Sequence, residues 1–195
     1  EAILQHGGFD GVLRIGAVPT SRFWRDLELK YRHLPVCSVN TLEFSGLARD
    51  NLHICCDPVE VFRLRSVGAA LTIKASYEEV LRSDQNKYEL LHKLFRQEKS
   101  AEVSLVHRLS TLIPKGAKLY LGNSMPIREW DLAASFEDRG IEVIASRGAN
   151  GIDGQLSTFL GACEANKENW AIVGDLTSLY DLVAPWSLSQ IQEMP

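Results

Sequence analysis

Three short stretches carry residues whose types and spacing could do chemistry. In Gly122-Asn123-Ser124 a hydroxyl stands at the start of a helix-forming segment, and Arg128 follows four residues later on the same helical face. Free N–H groups at a helix start favour an anion, and a guanidinium can grip a carboxylate through two parallel hydrogen bonds. In Ser146-Arg147 a second arginine precedes a loop with glycines at 148, 151 and 154, a density that lets backbone approach a ligand or take positive φ. Ile152 stands amid those glycines, either as a hydrophobic staple or as a platform for a flat ligand. In Gly174-Asp175-Leu176-Thr177 a carboxylate follows a run of small and apolar residues. A carboxylate there suits Mg²⁺ bridging to a diphosphate, because hard cations take oxygen ligands. Gly174 clears room, and Thr177 can donate to a phosphate oxygen. Each stretch also has a plainer reading: Ser124 and Asp175 as helix caps, Arg128 as a surface arginine, the glycines as a left-handed turn into a helix. Spacing alone favours the plainer reading for Ser124 and Arg128.

The elements that must position these stretches follow from hydrophobic rhythm. Runs at 118–123, 141–146 and 170–175 read as strands, each ending on one of the three stretches. Helices are expected after Ser124, with Pro126 in the first turn, and over 155–165; helical spacing continues from 176 to 191 with an interruption at Pro185. In an open parallel sheet ligands collect beyond the carboxyl ends of the strands, so the three stretches should converge on one edge. Upstream, strands are expected at 11–16 (buried), 35–39 and 52–57, a helix over 22–31 capped by Thr20 or Ser21, and a short helix from Pro58. The segment 68–75 is ambiguous between strand and coil. Ser76 and Glu79 form a capping box, and two helices follow at about 85–98 and 101–112. Their apolar stripes are Leu91, Leu94 and Phe95, then Leu105, Leu109 and Leu112. The fold class is therefore α/β: parallel sheets with flanking helices.

Composition narrows the function classes. Hydrophobic residues make up 45% of the 195 and charged ones 24%, as in a globular protein with a sizeable core. The 25 acidic and 21 basic residues leave −4, no basic excess for a nucleic-acid binder. No apolar run is long enough to span a bilayer, and the first residues do not read as a signal peptide. The cysteines at 37, 55, 56 and 163 form no C-x-x-C pair and are expected as buried thiols in a reducing cytosol. The five histidines form no ligand pair. A chain that starts at Glu1 and stops at Met194-Pro195 is expected to be part of a longer polypeptide.

GNSMPIREWDL (122–132), SRGANGIDGQLSTFLG (146–161) and WAIVGDLTSLYDL (170–182) resemble, in order and spacing, the 2-succinyl-5-enolpyruvyl-6-hydroxy-3-cyclohexene-1-carboxylate synthase family of menaquinone biosynthesis. The upstream half, with GVLRIGAVPTSRFW, is more loosely similar to the second half of that family's central domain. The resemblance implies a thiamine-diphosphate-dependent transferase, cytoplasmic and homo-oligomeric (dimer or tetramer), using Mg²⁺ or Mn²⁺. It removes CO₂ from 2-oxoglutarate and adds the remaining unit to isochorismate. It assigns Ser124, Arg128 and Arg147 to substrate binding. Ile152 matches the apolar support of the bent cofactor, Asp175 the first metal ligand, and Gly174, Leu176 and Thr177 the surroundings of the diphosphate. It further implies a Rossmann-like central-domain remnant over 1–82, a helical connection over 83–112, and the first part of a diphosphate-binding domain over 113–195.

Departures from the family pattern bear on activity. The asparagine that partners the Gly-Asp motif is expected past Pro195, and the glutamate that starts cofactor activation belongs to a domain without counterpart here. No catalytic residue is therefore assigned within the chain, which is expected to be inactive by itself. Ser146 stands where the family more often has Asn. Two rival readings differ in class: a stand-alone nucleotide-binding or regulatory α/β module with Gly16-Ala17-Val18 as its phosphate turn, and a structural or oligomerisation piece without ligand.

Overall fold

The computed structural model describes residues 9–63, 78–147 and 150–190. Gly148, Ser76 of the capping box, the ambiguous segment 68–75 and Ile191 lie outside them. The chain forms two compact units, Glu1–Glu89 and Leu90–Pro195. Among the described residues, no helix is long and apolar enough to cross a membrane.

The first unit contains β1 (Val12–Ile15), α1 (Arg22–Leu29), β2 (Val36–Asn40), β3 (Leu52–Cys55) and α2 (Pro58–Arg63). The three strands form a parallel sheet in the order β1-β2-β3, with Leu13 opposite Cys37 and Cys37 opposite Leu52. Trp24 and Leu27 of α1 pack with Leu34, Val36 and Leu47, and Trp24 Nε1 donates to the Gly46 carbonyl at 2.7 Å. Gly46 is required there: its φ is +74°, and an added Cβ would lie 2.5 Å from Val18 Cγ2. The expectation of a buried first strand needs correction. Leu13 is 63% exposed while Arg14 is buried, because α1 covers the face that carries Arg14, whose guanidinium lies 5.2 Å from the Trp24 ring centroid. Thiol burial is corrected too: Cys55 is exposed, and Cys37, Cys56 and Cys163 are half-buried. Ser21 precedes α1 without a side-chain cap bond.

Helix α3 (Glu78–Gln97) runs across the division between the units. The second unit continues with α4 (Glu102–Leu112), β4 (Lys118–Leu121), α5 (Met125–Ala133), β5 (Glu142–Ala145), α6 (Gln155–Ala162), β6 (Asn169–Ile172), α7 (Asp175–Tyr180) and a 3₁₀ helix (Ala184–Gln190). Its sheet has the order β5-β4-β6 and is parallel, as expected from the alternation of strands and helices. The core joins Ile113, Ala117, Leu119, Leu121 and Ile127, with Leu109, Trp130 and Trp170 against it. Full burial of one such aliphatic side chain contributes about 1.5–3 kcal/mol. The face of α4 differs from the expected stripe: Leu105 and Leu112 are 53% and 63% exposed, and Ser104, Val106 and Ser110 are buried instead. Hydrogen bonds let Ser110 fit that face. Ser110 Oγ donates to the His107 carbonyl at 2.7 Å and accepts the Ser135 N–H at 2.9 Å, while His107 Nδ1 donates to the Ala133 carbonyl at 2.8 Å.

At the amino-terminal ends of β4 and β5 lies a closed ring of ion pairs. Lys118 meets Glu164 at 2.6 Å and Glu142 at 3.3 Å, and Lys167 meets Glu142 at 2.8 Å and Glu164 at 2.9 Å. The ring pins strand starts at the end of the sheet opposite the three stretches singled out by sequence.

Candidate functional site

Strand register decides which of those stretches meet. Leu121 pairs with Ala145 of β5 and with Ile172 of β6, so the three strands end level. Neighbouring strands lie about 4.8 Å apart. Gly122-Asn123-Ser124, Ser146-Arg147 and Val173-Gly174-Asp175 therefore leave the same sheet edge side by side. Gly122 lets the stretches after β4 and β6 approach: its N–H donates to the Ile172 carbonyl at 2.9 Å, and an added Cβ would stand 3.1 Å from Val173 Cγ1 and 3.2 Å from the Ile172 oxygen.

Ser124 precedes α5 with φ 74° and ψ −125°, and it is the one non-glycine residue with positive φ among the described residues. Its exposed side chain makes no cap bond to the helix, so the capping reading loses its support. A bulky backbone conformation that favours glycine, held by a serine whose hydroxyl is turned away from helix duty, is the kind of local strain that collects at binding sites. Arg128, one helical turn on, is exposed, and within the described residues its guanidinium has no hydrogen bond or ion pair.

On the neighbouring strand, the Arg147 N–H donates to the Ala145 carbonyl at 2.9 Å, and its half-buried side chain keeps a buried Nε without a partner among the described residues. A buried guanidinium nitrogen left without an acceptor is costly. Ile152 is half-buried in the loop before α6, which starts after Gly154 at φ 65°.

A buried polar network ties these loops together. The Tyr120 hydroxyl donates to Gln155 Oε1 at 2.8 Å, so the Ser146 hydroxyl 2.9 Å away donates to Tyr120. Gln155 Oε1 also accepts the Asn123 N–H at 3.2 Å. The Gly151 carbonyl receives Asn123 Nδ2 at 2.8 Å and Gln155 Nε2 at 3.2 Å. Sequence reading missed Tyr120, Asn123 and Gln155, because the partners lie 26 to 35 residues apart in the chain. A tyrosine and an asparagine in or beside an otherwise apolar strand were the only local sign. The fourth missed residue, Asp181, is buried and accepts the Ser157 N–H at 2.7 Å, satisfying an amide of the first turn of α6.

At the third strand end, Gly174 is the residue before α7 and Asp175 the first within it. Asp175 is exposed, with Oδ1 accepting the Leu176 N–H at 2.8 Å. Leu176 is exposed, whereas Thr177 is buried, its Oγ1 3.6 Å from where a Cβ on Gly174 would stand. The donor chemistry fits a hard cation in kind, through one open carboxylate, but among the described residues no group of three His, Cys, Asp or Glu side chains could hold a metal. The edge thus combines two arginines, a strained serine, an apolar platform and an exposed carboxylate. This set can bind anionic carboxylate or phosphate groups and orient a flat ligand between them.

No family model matches the chain. It is 42% identical over 193 residues to the 2-succinyl-5-enolpyruvyl-6-hydroxy-3-cyclohexene-1-carboxylate synthase of Bdellovibrio bacteriovorus, a match covering 97% of this chain and 35% of that protein. The proteins of the same name from Akkermansia muciniphila and Bacillus velezensis match at 37% over 191 residues and 34% over 196 residues, covering 98% and 93% of this chain. Those matches take in 35% and 32% of the two proteins, so the chain spans about a third of the length of the curated relatives it matches.

Proposed function

We propose that this chain is a central part of a 2-succinyl-5-enolpyruvyl-6-hydroxy-3-cyclohexene-1-carboxylate synthase, a thiamine-diphosphate-dependent transferase of menaquinone biosynthesis that decarboxylates 2-oxoglutarate and adds the remaining unit to isochorismate. One observation carries the reading: the level ending of β4, β5 and β6, which gathers every candidate residue on a single sheet edge in a chain that matches such synthases along 97% of its length. Residues 1–82 would then close a central Rossmann-like domain, 83–112 form the helical connection, and 113–195 open the diphosphate-binding domain.

Thiamine diphosphate, when bound, stabilises the negative charge left on the carbon that loses CO₂. The chain's own residues bind and orient. Arg147 and Arg128 take substrate carboxylates by charge-assisted hydrogen bonds, and Ser124 donates its hydroxyl to one of them. Ile152 supports the flat part of the cofactor. Asp175 gives one oxygen to Mg²⁺ or Mn²⁺, with Gly174, Leu176 and Thr177 lining the diphosphate. Further ligands and the group that starts cofactor activation come from elsewhere in the longer polypeptide.

The test compares the full-length protein with the 195-residue chain. The full-length protein is expected to release CO₂ from 2-oxoglutarate only with isochorismate, thiamine diphosphate and Mg²⁺ present, and the isolated chain to release none. Arg147→Ala in the full-length protein removes a contact of about 1.5–3 kcal/mol and should raise KM for a substrate carboxylate at nearly unchanged cofactor affinity. Full-length turnover independent of thiamine diphosphate, or steady decarboxylation by the isolated chain, would overturn the proposal.

A further inference from the structure

The amide of Gln155 can sit in only one way. The Asn123 N–H can only donate and the Gly151 carbonyl can only accept, so Oε1 must face Asn123 and Nε2 must face Gly151. With the Tyr120 hydroxyl also donating to Oε1, one side chain at 4% exposure contacts the loop after β4, the glycine loop and, through Tyr120 and Ser146, the end of β5. Each contact lies one residue from a candidate ligand-binding side chain: Asn123 precedes Ser124, Ser146 precedes Arg147, and Gly151 precedes Ile152. Buried as it is, Gln155 has no need to touch a ligand to control where those three side chains stand.

We propose that Gln155 is a positioning residue that keeps the loops of Ser124, Arg147 and Ile152 in mutual register for substrate and cofactor. This rests on the reading of the site given under the proposed function. The network supplies the second layer that a preorganised site needs, because hydrogen bonds lock the backbone on either side of each ligand-facing residue. Gln155→Met keeps length and volume but removes both polar atoms. Gln155→Glu keeps one acceptor and sets a carboxylate oxygen against the Gly151 carbonyl.

The experiment uses the full-length protein. Hydrogen–deuterium exchange in Gln155→Met is expected to accelerate by about tenfold in peptides covering 122–128 and 146–154, with 36–40 of the first unit unchanged. In the loaded enzyme, kcat/KM for 2-oxoglutarate should fall by about 10–100-fold, since misplacement near 1 Å costs about that much. The near-ultraviolet circular dichroism of bound thiamine diphosphate should weaken in parallel. Glu164→Gln, which opens the ion ring at the far end of the strands, serves as the control: it lowers the melting temperature and leaves KM alone. A purely structural Gln155 would behave like that control. If Gln155→Met does not fold, Tyr120→Phe removes one bond of the network and is expected to shift exchange and KM in the same direction by about threefold. Unchanged exchange, KM and dichroism in a folded Gln155→Met, or in Tyr120→Phe should the former not fold, would overturn the positioning role. Absence of any thiamine diphosphate signal in the wild-type protein would instead overturn the proposed function, and the exchange measurement would still decide whether Gln155 registers the loops.

Discussion

Asp181 holds the first turn of α6 from outside the helix: Oδ2 accepts the Ser157 N–H at 2.7 Å and Oδ1 the Ser157 hydroxyl at 3.0 Å. Gly154 precedes that helix and has no side chain to cap it, so a carboxylate after α7 serves instead. Its burial makes the contact strong and its loss expensive. Asp181→Ala should cost about 1–3 kcal/mol, because the Ser157 amide would be left without its partner. Asp181→Asn keeps one oxygen and should cost less than half of that. Urea unfolding midpoints check both; an Asp181→Ala protein with wild-type stability would show that water replaces the carboxylate.

The ion ring makes stability depend on pH at both extremes. The Lys167 and Lys118 hydrogen bonds hold Glu142 below the usual carboxylate range, and those of Lys118 and Lys167 do the same for Glu164. Groups with lowered folded pKa values contribute stability above their unfolded pKa, near 4.3, and lose it as pH falls through the folded value. The same contacts raise Lys118, chiefly through Glu164, and Lys167, chiefly through Glu142. Their contribution is complete below about pH 10.4 and is lost as pH rises through the folded values. Melting curves of Lys118→Met against wild type should therefore converge below about pH 4 and stay apart from pH 5 to 9. A constant difference down to pH 2 would rule out the linkage.

How much of this could be read from sequence follows from distance along the chain. The strands were legible because apolar runs such as 119–121 are contiguous, and the level edge followed once the strands were parallel. The buried face of α4 was not: leucines at 105, 109 and 112 outweigh Ser104 and Ser110 in any hydrophobic count, yet Ser110 is buried because its hydroxyl bonds the His107 carbonyl and the Ser135 N–H. Arg14 misled for a related reason: the partners that accompany its burial are the Trp24 ring on another element and the Ser38 hydroxyl, 24 residues away, which accepts from Arg14 Nε at 3.4 Å. The Gln155 network links residues that no local pattern relates.

Glu129 titrates with the opposite sign. Burial in α5, and then the neighbouring charge of Glu102, push its pKa up. A carboxyl raised in the folded state contributes stability that is complete below its unfolded pKa, near 4.3, and is lost as pH rises through the folded value. Glu129→Gln mimics the protonated form. It should be the more stable protein at pH 7 and lose that advantage by about pH 4. Thermal melts across that range give the answer, and a wild type that outlasts Glu129→Gln at pH 7 would contradict the assignment.

Asp175 offers a separation of metal binding from helix support. Asp175→Asn retains an oxygen for the Leu176 N–H and should change stability by no more than a few tenths of a kcal/mol. A neutral amide is a poorer ligand for a hard cation. The full-length variant should fold normally and need far more Mg²⁺ to retain thiamine diphosphate. Calorimetric titration of Mg²⁺ in the presence of the cofactor distinguishes the outcomes, and unchanged metal demand would assign Asp175 to the helix alone.

Ser124 sets stability against binding within one residue. At φ 74° and ψ −125° a side chain is strained by about 1–3 kcal/mol, and glycine would carry no such strain. Glycine also gives the unfolded chain more freedom, which opposes the gain by about 0.5–1 kcal/mol. Ser124→Gly should therefore match or exceed wild-type stability by up to about 2 kcal/mol. Ser124→Ala keeps the strain and loses only the hydroxyl, so its stability should stay at the wild-type level. On the proposed function both substitutions remove a donor to a substrate carboxylate, and both should then raise KM for the carboxylate substrate in the full-length protein, by about 10-fold for a charge-assisted hydrogen bond. Two stabilities with one shared kinetic defect would separate what the backbone of Ser124 costs from what its hydroxyl does. If Ser124→Gly were instead less stable than Ser124→Ala, the positive φ would carry no strain, and the case for a backbone held there for binding would fail.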